Sequence, residues 1–442
     1  MRRVAYRLLR RVSAFDRSLR ERLTPAGWLV LGAALAAAAG GIDLNQTMTA
    51  HAFTFLASLL ILAFAASRVF RVRIDVARQL PRYATAGEDF IYRVTVTNRG
   101  RAPLVGLTLE ERFRDPRPSY EEWRAAREPG EERRNWFDRE IGYFRWRWLI
   151  ERRIPENTTE ASLPALPPGQ SQSLRLGFTP RRRGRVELAG LHVARVDPLG
   201  LVRGLARVPL EARVIALPKR YRIPALALPG ARKFQQGGVS LSASIGDSEE
   251  FLSLRDYRPG DPLQRLHWKS FARTGKPIVK EYQDEFFERH ALVLDTGTRR
   301  GEDAAFEEAV AVAASFVYTI ETQECLLDLL FVGGAVKTYT TGRGQSHAEH
   351  MLEVLAGVAP SPPAEFDALA RAVLARRSTL SSVIAVLLAW DEPRREFLAR
   401  ARASGLEVRG LLVCAPDEAP PAGSGVLVLH PGAIESGLAR LQ

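Results

Sequence analysis

Two almost charge-free stretches lie only a few residues apart near the amino terminus. "LTPAGWLVLGAALAAAAGGIDL" covers Leu23–Leu44 and "TMTAHAFTFLASLLILAFAASRVF" covers Thr47–Phe70. Each approaches the ~20 apolar residues that a helix needs to cross a bilayer. A cleaved signal peptide is the alternative for the first stretch, because basic residues precede it and small residues end it. The second stretch follows so closely that a transmembrane helical hairpin over residues 25–70 is the better reading. The link "DLNQ" carries no arginine, whereas both outer flanks are rich in them, Arg68, Arg71, Arg73, Arg78 and Arg82 on the far side. The positive-inside rule then places both termini and the soluble bulk in the cytoplasm. Gly32, Ala36 and Gly40 lie four apart, as a close helix–helix contact requires; an Ala-rich span with no such role is the equal alternative.

The net charge of +13 is concentrated at this end. Residues 1–24 read as a basic cytoplasmic segment that precedes any fold. Its first 22 residues hold eight arginines against Asp16 and Glu21, which is +6 of the total. Anionic lipid explains such a placement, and nucleic acid is not expected as a partner. At 442 residues the chain has room for two or three further domains. Cys325 and Cys414 sit in apolar runs and read as buried free thiols, which fits a reducing compartment.

Residues 72–218 change to a period of two. In "FIYRVTVTNRG", Phe90, Tyr92, Val94 and Val96 share one face, and "SLRLGF" alternates Leu174, Leu176 and Phe178 in the same way. Short strands with turns such as "LPPGQ" between them predict an all-β, immunoglobulin-like sandwich. An insertion at about 114–153 holds Trp123, Trp136, Trp146 and Trp148. "FRWRW" reads as a strand with its aromatics on one side, so a long hairpin completing the sandwich is expected. A Trp/Arg surface for the membrane interface or a partner is the sharper alternative.

Residues 219–288 contain the unusual run "EEFLSLRDYRPGDPLQRLHWKSFARTGKPIVKEY". Asp261 suits a helix N-cap, Pro262 the first turn and Gly275 the residue past the end. On that helix Arg265, Lys269 and Arg273 stack at i, i+4 and i+8, an arrangement that calls for acidic partners. Glu249, Glu250, Asp256, Asp284 and Glu285 are the nearby candidates. Leu263, Leu266 and Trp268 would dock the segment on a core. The segment therefore reads as a clamp or partner-binding face built from Asp256, Tyr257, Arg258, Gly260, Asp261, Arg265, Trp268, Lys269 and Arg273. A basic face for an acidic partner or phosphate, or an unrecognised enzyme centred on Asp256, Asp261, His267 and Lys269, are the alternatives. "ARTGKP" is no phosphate-binding loop, since it lacks the upstream glycine and the following Ser or Thr.

Residues 289–442 alternate strand and helix. "HALVLD", "CLLDLLFV", "SSVIAVLLAW", "EVRGLLVCA" and "GVLVLH" read as strands. Phe306, Val310, Ala313, Val317 and Ile320 step along one helix, and "PRREFLARARAS" forms another. Such alternation implies a mostly parallel sheet covered on both faces, with ligands at the carboxyl ends of its strands. His347 and His350 sit in the first turn of a helix opened by Ser346 and Glu349 and read as surface residues. No nucleophile elbow, paired-cysteine zinc spacing or dinucleotide fingerprint occurs, and no catalytic residue is expected.

"DPLGL" at Asp197–Leu201, "SEEFLSLRDYRPGDPLQRLHWKSFARTG" and "HALVLDT" together resemble the bacterial family called domain of unknown function 58. The resemblance implies a protein of the bacterial inner membrane with a von Willebrand A-like (Rossmann-like) C-terminal domain. It also implies association with MoxR-type AAA+ ATPases in the role of an adaptor or scaffold. Where the family often has Arg, this chain has Gln264. A von Willebrand A domain binds Mg²⁺ through Asp-x-Ser-x-Ser; here the matching run is Asp295-Thr296-Gly297-Thr298-Arg299, with both serines replaced. Asp295, Thr298 and Asp391 are the doubtful ligand set, with Thr341 as another hydroxyl and Arg299 expected to pair with Asp295 instead. No cofactor is otherwise expected.

Overall fold

The computed structural model describes residues 2–40, 47–224, 251–259, 261, 263, 266–282, 288–298, 303–320, 325–341, 345–421 and 423–441. Three helices open the chain: α1 (Arg2–Arg22), α2 (Pro25–Gly40) and α3 (Thr47–Arg68). The basic amino terminus is therefore folded, contrary to expectation. α2 and α3 pack around Ala63 through Val30, Leu31, Leu59, Leu60 and Phe64. Among the described residues one helix, Met48–Arg68, is long and apolar enough to cross a membrane. α2 has 16 residues, fewer than a span needs; the predicted remainder of that stretch, residues 41–44, lies outside the described ones. Gly32, Ala36 and Gly40 are all exposed; a Cβ at Gly40 would come within 4.0 Å of Thr49 of α3, whereas one at Gly32 would meet nothing within 4 Å, so the stripe as a whole does not line the contact between α2 and α3.

The next unit comprises β1 (Ile74–Gln79), β2 (Tyr83–Thr85), β3 (Phe90–Asn98), β4 (Leu107–Phe113), α4 (Tyr120–Ala125), α5 (Trp136–Ile141), α6 (Tyr143–Glu151), β5 (Ala161–Leu163), β6 (Ser171–Phe178), β7 (Gly184–Val196) and β8 (Arg203–Leu217). The strands form a three-stranded sheet, β1-β3-β6, and a five-stranded sheet, β2-β8-β7-β4-β5. Phe90, Tyr92, Val94 and Val96 alternate inward from the first sheet, as their period requires. They meet Leu107, Leu109, Leu191, Val193 and Val214 of the second sheet in one core, which makes the unit a β-sandwich.

The insertion is not a hairpin. It folds as α4, α5 and α6, and "FRWRW" lies within α6. The helical signals were local. Ser119 and Glu122 form a capping box, and Asn135 caps α5. Trp123 is fully buried, and its indole Nε1 donates to the Gly142 carbonyl at 3.1 Å. Arg145, expected on the solvent side, is buried and pairs with Glu131. Tyr6 of α1 enters this group, with ring centroids 5.5 Å from Trp146 and 5.8 Å from Trp123. The aromatic residues thus fasten α1 to the insertion.

A small separate unit follows, consisting of β9 (Phe251–Asp256), α7 (Trp268–Thr274) and β10 (Ile278–Tyr282), with β9 and β10 antiparallel. The C-terminal unit contains β11 (Glu288–Leu294), α8 (Asp303–Ile320), β12 (Cys325–Val332), β13 (Val336–Thr341), α9 (Gln345–Ala356), α10 (Phe366–Ala375), β14 (Ser382–Leu387), α11 (Glu392–Ala403), β15 (Glu407–Val413), β16 (Val426–Leu429) and α12 (Ile434–Leu438). Its six-stranded sheet has the order β13-β12-β11-β14-β15-β16 and is parallel except at β13. α8, α9 and α12 cover one face, and α10 and α11 the other. Phe306, Val310, Ala313, Val317 and Ile320 all point into the first of these cores. The sandwich docks on this unit through Arg183, which pairs with Glu307 and donates to the Leu355 carbonyl at 3.0 Å.

Candidate functional site

Two places concentrate the predicted site residues. The first is the carboxyl edge of the six-stranded sheet. From the central strand β11 the chain runs to β12 on one side and later to β14 on the other, so the crevice between β11 and β14 is the topological switch point where ligands of such sheets bind. Asp295 follows β11 there and is fully buried. Its carboxylate accepts backbone N–H bonds from Gly297 at 2.9 Å and Leu388 at 3.1 Å.

The rest of its capacity goes to Arg394. That guanidinium donates from Nε to Asp295 Oδ2 at 2.8 Å and from Nη2 to Oδ1 at 3.1 Å. Nη1 reaches Asp391 Oδ2 at 2.6 Å. Asp391 is also the N-cap of α11, accepting from Arg394 N at 3.3 Å. The guanidinium stacks over Phe366, with its carbon 4.5 Å from the ring centroid. Burial opposes its charge, but the two carboxylates prevail and raise its pKa above the ordinary value. Gly297 makes room for this group, since a Cβ there would lie 2.8 Å from Arg394 Nη2.

Asp295 and Asp391, the two expected metal carboxylates, are thus brought together, but a guanidinium joins them. Thr298 binds through its backbone, donating to the Ser361 carbonyl at 3.0 Å. Thr341 pairs with Leu327 near the start of β12, at the opposite edge of the sheet. The residues do not fit a divalent cation: the oxygens it would need are engaged, and a fixed positive charge stands between them. Arg299, the guanidinium expected beside Asp295, lies outside the described residues; among those described, Arg394 pairs with Asp295. The spacing Asp391-x-x-Arg394 at a helix start signals the local pair of these two residues, but not the contact with Asp295.

The second place is the β9–α7–β10 unit. Arg255 grips Asp261 with two hydrogen bonds, Nη1 to Oδ2 at 2.7 Å and Nη2 to Oδ1 at 2.8 Å, and Arg258 N adds a third at 2.8 Å. Arg255, first among the causes, holds the Asp261 carboxyl down at about 2. Asp261 therefore closes the turn after β9; residues 262, 264 and 265, on which its expected role as a helix N-cap depends, lie outside the described ones. α7 begins only at Trp268 and carries Lys269 and Arg273; Arg265 and Gly260, two other members of the expected clamp, lie outside the described residues. The predicted end is correct: Gly275 is left-handed, with φ 67°.

Leu266 and Val279 form the interior of the unit. Leu263 and Trp268, expected to dock on a core, are instead 66% and 63% exposed. Leu254 and Phe271 are exposed too, and the Trp268 and Phe271 rings meet edge to face at 6.2 Å. Lys269 and Arg273 are exposed on α7, and among the described residues no carboxylate pairs with either. Four of the expected acidic partners, Glu249, Glu250, Asp284 and Glu285, lie outside the described residues; among those described, Arg255 and Asp261 form an ion pair. Asp256 is exposed on β9, and Tyr257 N donates to the Pro277 carbonyl at 3.0 Å. His267 Nδ1 lies 2.6 Å from Ser270 Oγ. Asp261 and His267 are each held by a different neighbour, and no catalytic pair forms among them.

A cleft of about 550 Å³ between the insertion and the sandwich is rich in arginine. Its guanidinium groups are largely committed: Arg114 pairs with Glu187, Arg117 with Asp115 and Arg153 with Glu122.

Residues 253–430 match the family described as protein of unknown function DUF58. The match takes in the β9–α7–β10 unit and most of the six-stranded sheet. The chain is 29% identical over 176 residues to the uncharacterized protein YeaD of Bacillus subtilis, covering 39% of this chain and 42% of that one. It is 31% identical over 186 residues to the uncharacterized protein Rv1480 of Mycobacterium tuberculosis, covering 39% of this chain and 58% of that one. The chain thus spans about half the length of the curated relatives it matches. Among solved structures, the CARDB domain of the PF1109 protein from Pyrococcus furiosus covers 33% of this chain and 86% of its own length, at 12% identity. Its TM-score of 0.17 is too low for a shared fold to be argued from it.

Proposed function

We propose that this protein is a non-enzymatic adaptor, tethered in the bacterial inner membrane by α2 and α3, with both termini and its soluble bulk cytoplasmic. On this reading the sandwich is a spacer and the C-terminal sheet is a von Willebrand A-like domain that no longer uses a metal. The partner is an AAA+ ATPase of the MoxR type, as the family resemblance implies.

The observation that carries the reading is the outward face of the β9–α7–β10 unit. Trp268 and Phe271 are exposed together on α7 with Lys269 and Arg273, which no carboxylate among the described residues pairs with; Leu254 and Leu263 of the same unit are exposed as well. An aromatic anchor ringed by cations fits a partner pocket with an acidic rim. The closed Asp295–Arg394–Asp391 site supports the same reading, because it removes the usual ligand position of such a sheet. Co-purification from native membranes tests it. The wild-type chain should retain the ATPase, and Trp268→Ala combined with Lys269→Glu should lose it at unchanged expression and folding. Equal recovery with both chains, or no ATPase with either, would refute the proposal.

A further inference from the structure

We infer that α1 lies in the plane of an anionic bilayer surface, with the insertion helices as its mount; this rests on the membrane tether proposed above. Val4, Leu8, Val12 and Phe15 recur at steps of four, four and three, so they form one stripe along the helix. They are 64%, 61%, 57% and 67% exposed. The opposite face is the one that holds the protein: Tyr6 is buried against Trp123 and Trp146, and its hydroxyl donates to the Pro118 carbonyl at 3.1 Å. Arg2 anchors the first turn on Glu140 at 2.8 Å. α1 is thus fixed with its apolar side turned away from everything it packs on.

The place of that side in the fold identifies what covers it. At the other end of the helix, Leu23 bridges to Val202. The turn Asp197–Leu201 is tied by the Asp197 carboxylate, which accepts from the backbone of Leu199, Leu201 and Val202 at 2.9, 2.8 and 2.7 Å. This turn seats the start of α2: Thr24 Oγ1 donates to the Gly200 carbonyl at 2.7 Å. A Cβ at Gly27 would lie 2.2 Å from the Leu201 carbonyl oxygen. The same hairpin holds the end of α3, since a Cβ at Gly204 would lie 2.9 Å from the Ser67 carbonyl. α2 therefore begins, and α3 ends, at the level where α1 finishes. A bilayer entered by α2 and α3 is continuous with the α1 stripe.

Charge selects the lipid. Arg7, Arg10, Arg11 and Arg22 meet no carboxylate among the described residues. Arg7 and Arg11 border the stripe, as in helices that rest on anionic headgroups. A second copy of α1 against the stripe would instead bring like-charged guanidinium groups together.

The test uses the full chain with Cys325 and Cys414 replaced by Ser. A single reporter cysteine is introduced as Leu8→Cys or, on the opposite side, Arg10→Cys, and labelled with an environment-sensitive fluorophore. The protein is reconstituted in vesicles of phosphatidylcholine alone or mixed with phosphatidylglycerol. In anionic vesicles, quenchers carried on the acyl chains should quench the Leu8 label several-fold more than the Arg10 label. Arg7→Glu with Arg11→Glu should abolish that difference. Equal quenching at both positions, or protection of Leu8 that grows with protein density, would overturn the inference. Flotation after an alkaline wash separates the tether from the helix. Vesicle-bound protein with a water-exposed Leu8 refutes α1 alone, whereas loss from the vesicles refutes the tether and the inference together.

Discussion

At the scale of single residues, the chemistry of the chain is decided by which charges are already matched. Arg394 is 1% exposed and neutralises two aspartates at the switch point of the sheet. Removing one partner of a buried pair costs about 3–5 kcal/mol, because the other charge is left uncompensated. Arg394→Met should therefore destabilise the C-terminal unit by about that much. The double variant with Asp295→Asn should recover part of the loss, as read by hydrogen exchange of the β11 and β14 amides. Two other buried groups give the soluble units opposite responses to acid. Burial depresses His290 to about 4, so its contribution to stability is complete above its ordinary value of 6.5 and is lost as pH falls through 4. Burial raises Glu111 to about 7 against the offsetting bonds from Tyr92 and Arg78. Its contribution is present below 4.5 and is lost as pH rises through 7. Between pH 4.5 and 6.5 the sheet of β11 should gain protection with rising pH while the sandwich loses it. Exchange rates corrected for intrinsic chemistry should show both slopes, and His290→Gln and Glu111→Gln should each flatten one.

At the scale of elements, the insertion acts as a mount. Trp123 fills its centre, and Trp123→Ala should cost about 3–5 kcal/mol. The loss should appear as faster exchange in α4, α6 and α1, with β3 and β6 unchanged. Legibility from sequence followed the same divide. Buried strands and α8 could be read directly, because an apolar period of two or 3.6 dictates which face goes inward. Gly275 was readable as a helix end because only its φ suits that position. The "FRWRW" alternation misled, since five residues cannot separate a strand from a helix, and Ser119 and Asn135 carried the better signal. The reach of Arg394 across 99 residues to Asp295 is a tertiary fact with no local pattern, and so is the exposure of Trp268. Val4, Leu8, Val12 and Phe15 were visible as a period, but the arginines around them drew the reading towards an unfolded tail.

At the scale of the molecule, an apolar helix pair, a sandwich and a doubly covered sheet are linked by specific contacts. The Asp197 turn joins the helices to the sandwich, and Arg183 joins the sandwich to the sheet. None of the described residues of the unit carrying Trp268 belongs to the apolar cores these contacts connect. On the proposed reading, that arrangement serves as a platform presenting the Trp268 face. The most direct measurement is site-specific photo-crosslinking in native membranes, with the photoreactive side chain placed at position 268 and, as a comparison, at exposed Arg213 on the sandwich. The account predicts an adduct with an AAA+ ATPase from position 268 alone; no adduct there, or the same adduct from both positions, would contradict it.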